Sequence, residues 1–195
     1  MHQLSPQLLI AAAGTMVSLG VDAERAFGGE MADQPAARAV SDLSWDLKFI
    51  ERCGYWSHFD YRYGNSSWPI PRGMSVNELA LFAGTNEILF DEPESGDVFL
   101  QYSSRRREFI HAGIVVSVLA SGRYTQHRSY VDVYSIEGDT DADGGRCGGR
   151  ALRVRRRLLP SHGDRFLRWT GICPARMPGG GMAYLASILD GRKAS

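Results

Sequence analysis

Along the first half of the chain apolar residues return at a spacing near 3.6, whereas along the second half they alternate or cluster in short β-prone runs. Ser5 followed by Pro6 provides an N-cap and a first-turn residue, and Leu8, Leu9, Ala12, Met16 and Val17 predict a helix with one face on the domain. Residues 20–41, rich in Gly, Ala, Asp and Pro, read as a loop with at most one turn of helix. A second helix is predicted over residues 44–56. Ser44 caps it, Asp46 places a carboxylate in its first turn, Trp45, Phe49 and either Trp56 or Cys53 form its stripe, and Gly54 ends or bends it. Residues 61–67 read as a loop, and Pro69 and Pro71 impose an extended path. Ser75 then caps a third helix through Val76, Leu79, Ala80 and Phe82, ending near Gly84.

From Gly96 onward the period changes. Val98-Phe99-Leu100 follows a turn, and after the polar Ser103-Ser104-Arg105-Arg106-Arg107 the run from Phe109 to Val118 completes a hairpin. A third run, Tyr130 to Ile136, ends in Glu137-Gly138-Asp139-Thr140. A Gly- and Asp-rich loop, 138–149, precedes the alternating run 151–155, and an aromatic strand at 165–169 closes the sheet. Helices followed by an antiparallel sheet of about four to six strands make an α+β layout. The organisation expected is an N-terminal helix and loop (1–43), one domain (44–170) and a tail (171–195) with a weak helix near 182–189.

Composition changes this picture little. The 195 residues suit one domain with a sizeable core, and Lys plus Arg equals Asp plus Glu at 22 each, so no overall field favours nucleic acid or an anionic membrane. Basic stretches at 105–107 and 150–157 and an acidic one at 87–97 read as solvated faces, with no nucleic-acid partner. Cys53, Cys147 and Cys173 show no CxxC and no paired His spacing, so reduced thiols are expected, with no zinc site and no disulfide framework. Residues 4–20 have no Lys or Arg before them and are interrupted by Gly14, which favours a helix over a signal peptide. No stretch has the length of a membrane span. Asp139-Thr140-Asp141-Ala142-Asp143-Gly144 opens like an EF-hand loop, but Arg150 stands where the bidentate Glu belongs, so no metal or cofactor is expected. His58 and Asp60 read as a hydrogen-bonded pair. Tyr55, Trp56, Tyr61, Tyr63 and Trp68 read as core and rim, or as the lining of a groove for glycan or peptide.

Candidate chemistry lies on the strands. An antiparallel sheet brings His111, on the second strand, within reach of Glu137, at the end of the third: a general base and the carboxylate that orients it. Asp139 is a second polar orienter. The nucleophile is the missing member.

Gly96-Asp97-Val98-Phe99, His111-Ala112-Gly113-Ile114-Val115, Ile136-Glu137-Gly138-Asp139-Thr140 and Phe166-Leu167-Arg168-Trp169, in this order and spacing, resemble the CHAP domain. That family of cell-wall amidases and peptidases is related to NlpC/P60 within the papain-like cysteine hydrolases, and the resemblance spans roughly residues 45–169. It implies a papain-like fold, a peptidoglycan or peptide substrate, and a catalytic cysteine at the start of a helix, after a Trp and before a Phe three residues on. Trp45-Asp46-Leu47-Lys48-Phe49 fits with Asp46 in the cysteine's place. A carboxylate there accepts hydrogen bonds only and is a poor nucleophile, which implies a module that binds or supports without cleaving. The other register uses Cys53, two turns further along the helix, and implies an active amidase or endopeptidase with His111 and Glu137. Without an evident export signal, the resemblance implies a protein made in the cytoplasm and released to act on cell wall, as a phage lysin or an effector is.

Overall fold

The computed structural model describes residues 5–18, 45–57, 59–60, 65–66, 69–71, 73–125, 128–140 and 150–171. Among these residues three helices, α1 (Pro6–Ser18), α2 (Trp45–Ser57) and α3 (Val76–Thr85), accompany an antiparallel sheet. A two-stranded ladder of β1 (Phe59–Asp60) and β2 (Asn65–Ser66) stands apart. The main sheet has six strands: β3 (Leu89–Phe90), β4 (Val98–Ser103), β5 (Glu108–Thr125), β6 (Arg128–Thr140), β7 (Arg150–Leu158) and β8 (Arg165–Leu167). Their spatial order is β3-β8-β4-β5-β6-β7, every pair antiparallel. The architecture is therefore α+β. Among the described residues no helix is long and apolar enough to cross a membrane.

Several elements depart from the sequence expectation. The aromatic strand β8 does not close the sheet at an edge; it lies inside, between β3 and β4, because Phe166 and Leu167 are both wholly buried and need neighbours on either side. β3 and the β1–β2 ladder are two-residue strands, too short to show a period. Helix α2 continues through Gly54 to Ser57, since its buried side chains before that point hold it to the core. On α1 the buried face is Leu9, Ala13 and Met16, while Leu8 is half exposed, a stripe rotated from the expected one. The loop 20–41, the cap Ser44, His58, Tyr61, Tyr63, Trp68, residues 141–149 of the expected loop 138–149 with Cys147, and the tail with Cys173 and the weak helix at 182–189 lie outside the described residues.

The core has two parts, one on each face of the sheet. Leu9 and Met16 of α1, Leu47, Phe49 and Ile50 of α2, and Leu79 and Phe82 of α3 bury against Val98, Leu100, Ala112, Ile114 and Ile136. Phe99, Val115, Val131, Val133, Leu158 and Phe166 form the second cluster. Helix α3 is started by a capping box in which the Ser75 hydroxyl accepts from the Glu78 amide and the Glu78 carboxylate accepts from the Ser75 amide.

The turn before β4 has a structural task. Gly96 has φ +91°, and a side chain there would collide with Pro6, so the glycine lets the start of α1 seat directly on the turn. Its carbonyl accepts from the buried Trp169 indole at 2.8 Å, while Arg168 donates to Asp97 at 3.2 Å and pairs with Glu94 at 2.9 Å. The Gly96-Asp97 motif thus ties α1 to Trp169 and Arg168, which follow the sheet's last strand.

Gly113 on β5 is equally constrained. A Cβ there would lie 2.5 Å from the Phe99 ring and 2.7 Å from Glu137 Cγ, so only glycine leaves room for both side chains where they stand. Gly113→Ala is expected to cost about 1–3 kcal/mol, as overpacking does, read as a lower denaturant midpoint with unchanged m-value.

Candidate functional site

β5 and β6 separate at one end of the sheet. Their pairing begins at Ile114↔Ile136, so residues 108–113 of β5 have β4 on one side and, among the described residues, no strand on the other. The first turn of α2 fills that gap. Asp46 Oδ2 accepts the backbone N–H of Ala112 at 2.9 Å, and Oδ1 accepts that of Leu47 at the same distance. A short carboxylate at a helix start thereby replaces the missing strand partner of β5.

The same Asp46 oxygen meets His111 Nδ1 at 3.0 Å, and the opposite ring nitrogen, Nε2, lies 2.8 Å from Glu137 Oε2. Beyond it, Glu137 Oε1 accepts from the Ser135 hydroxyl at 2.6 Å and from Arg156 Nε at 2.7 Å, and Arg156 Nη2 donates to Oε2. Four charged side chains from α2, β5, β6 and β7 form one line: Asp46, His111, Glu137, Arg156. Asp46 and His111 are each 2% exposed and Glu137 is 0% exposed. The Phe99 ring lies 5.8 Å from both the imidazole and the Arg156 guanidinium.

This arrangement determines the protonation of His111. A neutral imidazole has one N–H and would turn a bare lone pair toward the second carboxylate. The imidazolium satisfies both. Burial opposes the cation, but the hydrogen bonds and charges of Asp46 and Glu137 outweigh it and raise the pKa above 6.5. Burial likewise opposes the Glu137 anion, yet donors from His111 and Arg156, with their positive charges, lower its pKa to about 2. With both carboxylates ionised, the line holds two negative and two positive charges and sums to zero, the condition under which buried charges persist.

An imidazolium donating from both nitrogens has no lone pair, so in this state it is not a general base. The Asp46–His111 contact has the charge distribution of a thiolate–imidazolium pair and none of its nucleophilicity.

The sequence-based candidates fall into three groups. Asp46, His111 and Glu137 are brought together. Cys53 is not with them: it is 0% exposed, it sits in the apolar cluster with Leu47 and Ile50, and burial pushes its thiol well above 9.0. Both His111 nitrogens are taken by carboxylates, so the imidazole has no site left for the Cys53 thiol. Two turns of helix separate the gap in the sheet from the core beneath it, and position 53 lies in the core. Asp139 lies on β6, but its side chain falls outside the described atoms. Ser135 and Arg156 were missed. Each shares a strand face with a site residue or a buried neighbour, Ser135 with Glu137 and Arg156 with Leu158, and that alternation was the available signal. Among the described residues no group of three or more His, Cys, Asp and Glu side chains is arranged to hold a metal.

Two outcomes are expected. The His111 ring protons should titrate by NMR with a midpoint above 6.5. Because its folded pKa is raised, the stability His111 contributes is complete below pH 6.5 and is lost as pH rises through the folded value; that of Glu137 is complete above 4.5 and is lost as pH falls toward about 2. The network therefore contributes most between pH 4.5 and 6.5, measurable as the pH profile of chemical denaturation. Separately, Cys53 should resist alkylation in the native protein and react fully in denaturant. No family model matches this sequence, no curated protein matches it, and no solved structure matches its fold.

Proposed function

We propose that this chain is a CHAP-like domain, papain-like in fold, whose nucleophile position is occupied by Asp46, and that it serves as a non-hydrolytic module recognising cell-wall peptide. The observation that carries the reading is the imidazole of His111 held on both nitrogens by carboxylates at 3.0 and 2.8 Å, at the start of a helix inserted between two strands. A cysteine hydrolase needs a nucleophile on one ring nitrogen and an orienting acceptor on the other. Asp46 and Glu137 have that relation to His111. Substituting the nucleophile by a carboxylate keeps the ion pair and removes the covalent step.

The buried, strongly protonated thiol of Cys53 speaks against the alternative of a working enzyme. A thiolate must be exposed to substrate and formed near neutral pH.

The reading is tested with purified cell walls. The wild-type chain is expected to sediment with peptidoglycan and to release no fragments in zymography. Asp46→Cys is expected to gain slow hydrolysis abolished by alkylation, at some loss of stability, about 1–3 kcal/mol, from the buried Ala112 amide left without its carboxylate acceptor. Lysis by the wild-type chain that disappears in Cys53→Ser would overturn the proposal.

A further inference from the structure

Far from the charged line, the distal halves of β5 and β6, the loop after β3 and the 3-10 turn Pro160–His162 enclose a concavity of about 550 Å³. That volume lies in the range of small-ligand sites, roughly 300–1,000 Å³. Ser121, in its wall, is ten residues along β5 from His111, roughly 30 Å at a strand's rise. The concavity is distinct from the Asp46–His111 site.

Its walls are tied in place. Ser161 Oγ donates to the Ser129 carbonyl at 3.2 Å and accepts the Ser129 amide at 3.1 Å, which joins the 3-10 turn to β6. Arg168 donates to the Glu92 carbonyl at 3.3 Å and holds the acidic loop. Tyr130 lies over Gly122, where a Cβ would meet its ring at 2.8 Å, and the Arg157 guanidinium stacks 4.6 Å from its centroid. The site is thus largely formed before any ligand arrives.

Within this frame two side chains of opposite sign have no partner. The carboxylate of Glu92 and the guanidinium of Arg123, both exposed and both lining the concavity, make no ion pair or side-chain hydrogen bond among the described residues. Two other exposed charges nearby are engaged: Asp91 pairs with Arg165 at 3.2 Å, and Arg157 with Asp132 at 2.6 Å. An unpaired anion and an unpaired cation in one preformed hollow, with the hydroxyls of Ser121 and Ser129 near them, complement a ligand that carries both charges.

We propose that this concavity binds a short zwitterionic peptide, with the Arg123 guanidinium taking its terminal carboxylate and the Glu92 carboxylate its free amino group. A ligand of amino-acid chemistry fits better than a sugar, which would leave both charges unmatched, or an anion, which would face Glu92. The assignment deepens the proposal of a peptide-recognising module by naming the ligand class, but it rests on the concavity alone and does not require the CHAP-like reading.

The test is a charge-by-charge titration of the full chain by NMR, with trialanine, its N-acetylated form, its C-terminal amide and the doubly blocked peptide as probes. Free trialanine is expected to shift the amides of Ser121 and Ser129, and blocking either end to weaken binding about tenfold, the effect of losing one charge-assisted hydrogen bond. Arg123→Gln should remove the sensitivity to amidation alone, Glu92→Gln the sensitivity to acetylation alone, and Arg123→Lys should retain most binding. Both positions are exposed, and an unchanged thermal midpoint certifies the fold. Absence of binding, or binding indifferent to blocking or to both substitutions, overturns the assignment. Trialanine binding with no sedimentation on cell walls would sink the module and leave this site standing; the converse would sink the site alone.

Discussion

One imidazole ring between two carboxylates holds the centre of this protein together. His111 joins the helix α2, through Asp46, to β6 and β7, through Glu137 and Arg156, and it does so where β5 is paired with β4 but not yet with β6. Each partner depends on the others' charge. A neutral ring would leave one carboxylate facing a lone pair, and an absent Arg156 would leave Glu137 with an excess of negative charge in a place water does not reach. The apolar clusters supply the bulk of the stabilisation, as they do in any domain. What the ionic line adds is position, because a helix can slide over an apolar face but cannot slide off a hydrogen-bonded carboxylate.

That line also limits chemistry. Sites that activate a nucleophile keep a base with a free lone pair near a solvent-accessible cleft. Here the ring is 2% exposed and fully engaged. The same geometry that serves proton transfer when one neighbour is a thiol becomes a clamp when that neighbour is a carboxylate.

Much of this was legible from residue patterns. The Ser75 cap, the change of period after Gly96 and the hairpin around the three arginines follow from local chemistry; the approach of His111 to Glu137 needed the antiparallel pairing of two strands, and its approach to Asp46, 65 residues away in the chain, came only from the family resemblance. The strand order did not: β8 enters between β3 and β4, and no local pattern says which neighbours a three-residue strand chooses. Arg156 was hidden because its neighbours are arginines too; in a run such as Arg153 to Arg157 composition suggests a solvated face, and only the phase shared with Val154 marks one of them as inward. The burial of Cys53 was hidden for a related reason. A helix stripe lists residues that share a face but not the depth at which each one ends.

The arginines that face outward have their own consequence. β7 is an edge of the main sheet, and along it Arg153, Arg155 and Arg157 alternate with inward residues, with Asp132 the acid that pairs with two of them. Strand edges invite other strands, and a second copy laid alongside would set cation against cation at every other rung. The margin most open to backbone pairing is therefore self-repelling, which discourages these molecules from zipping into ribbons at high concentration.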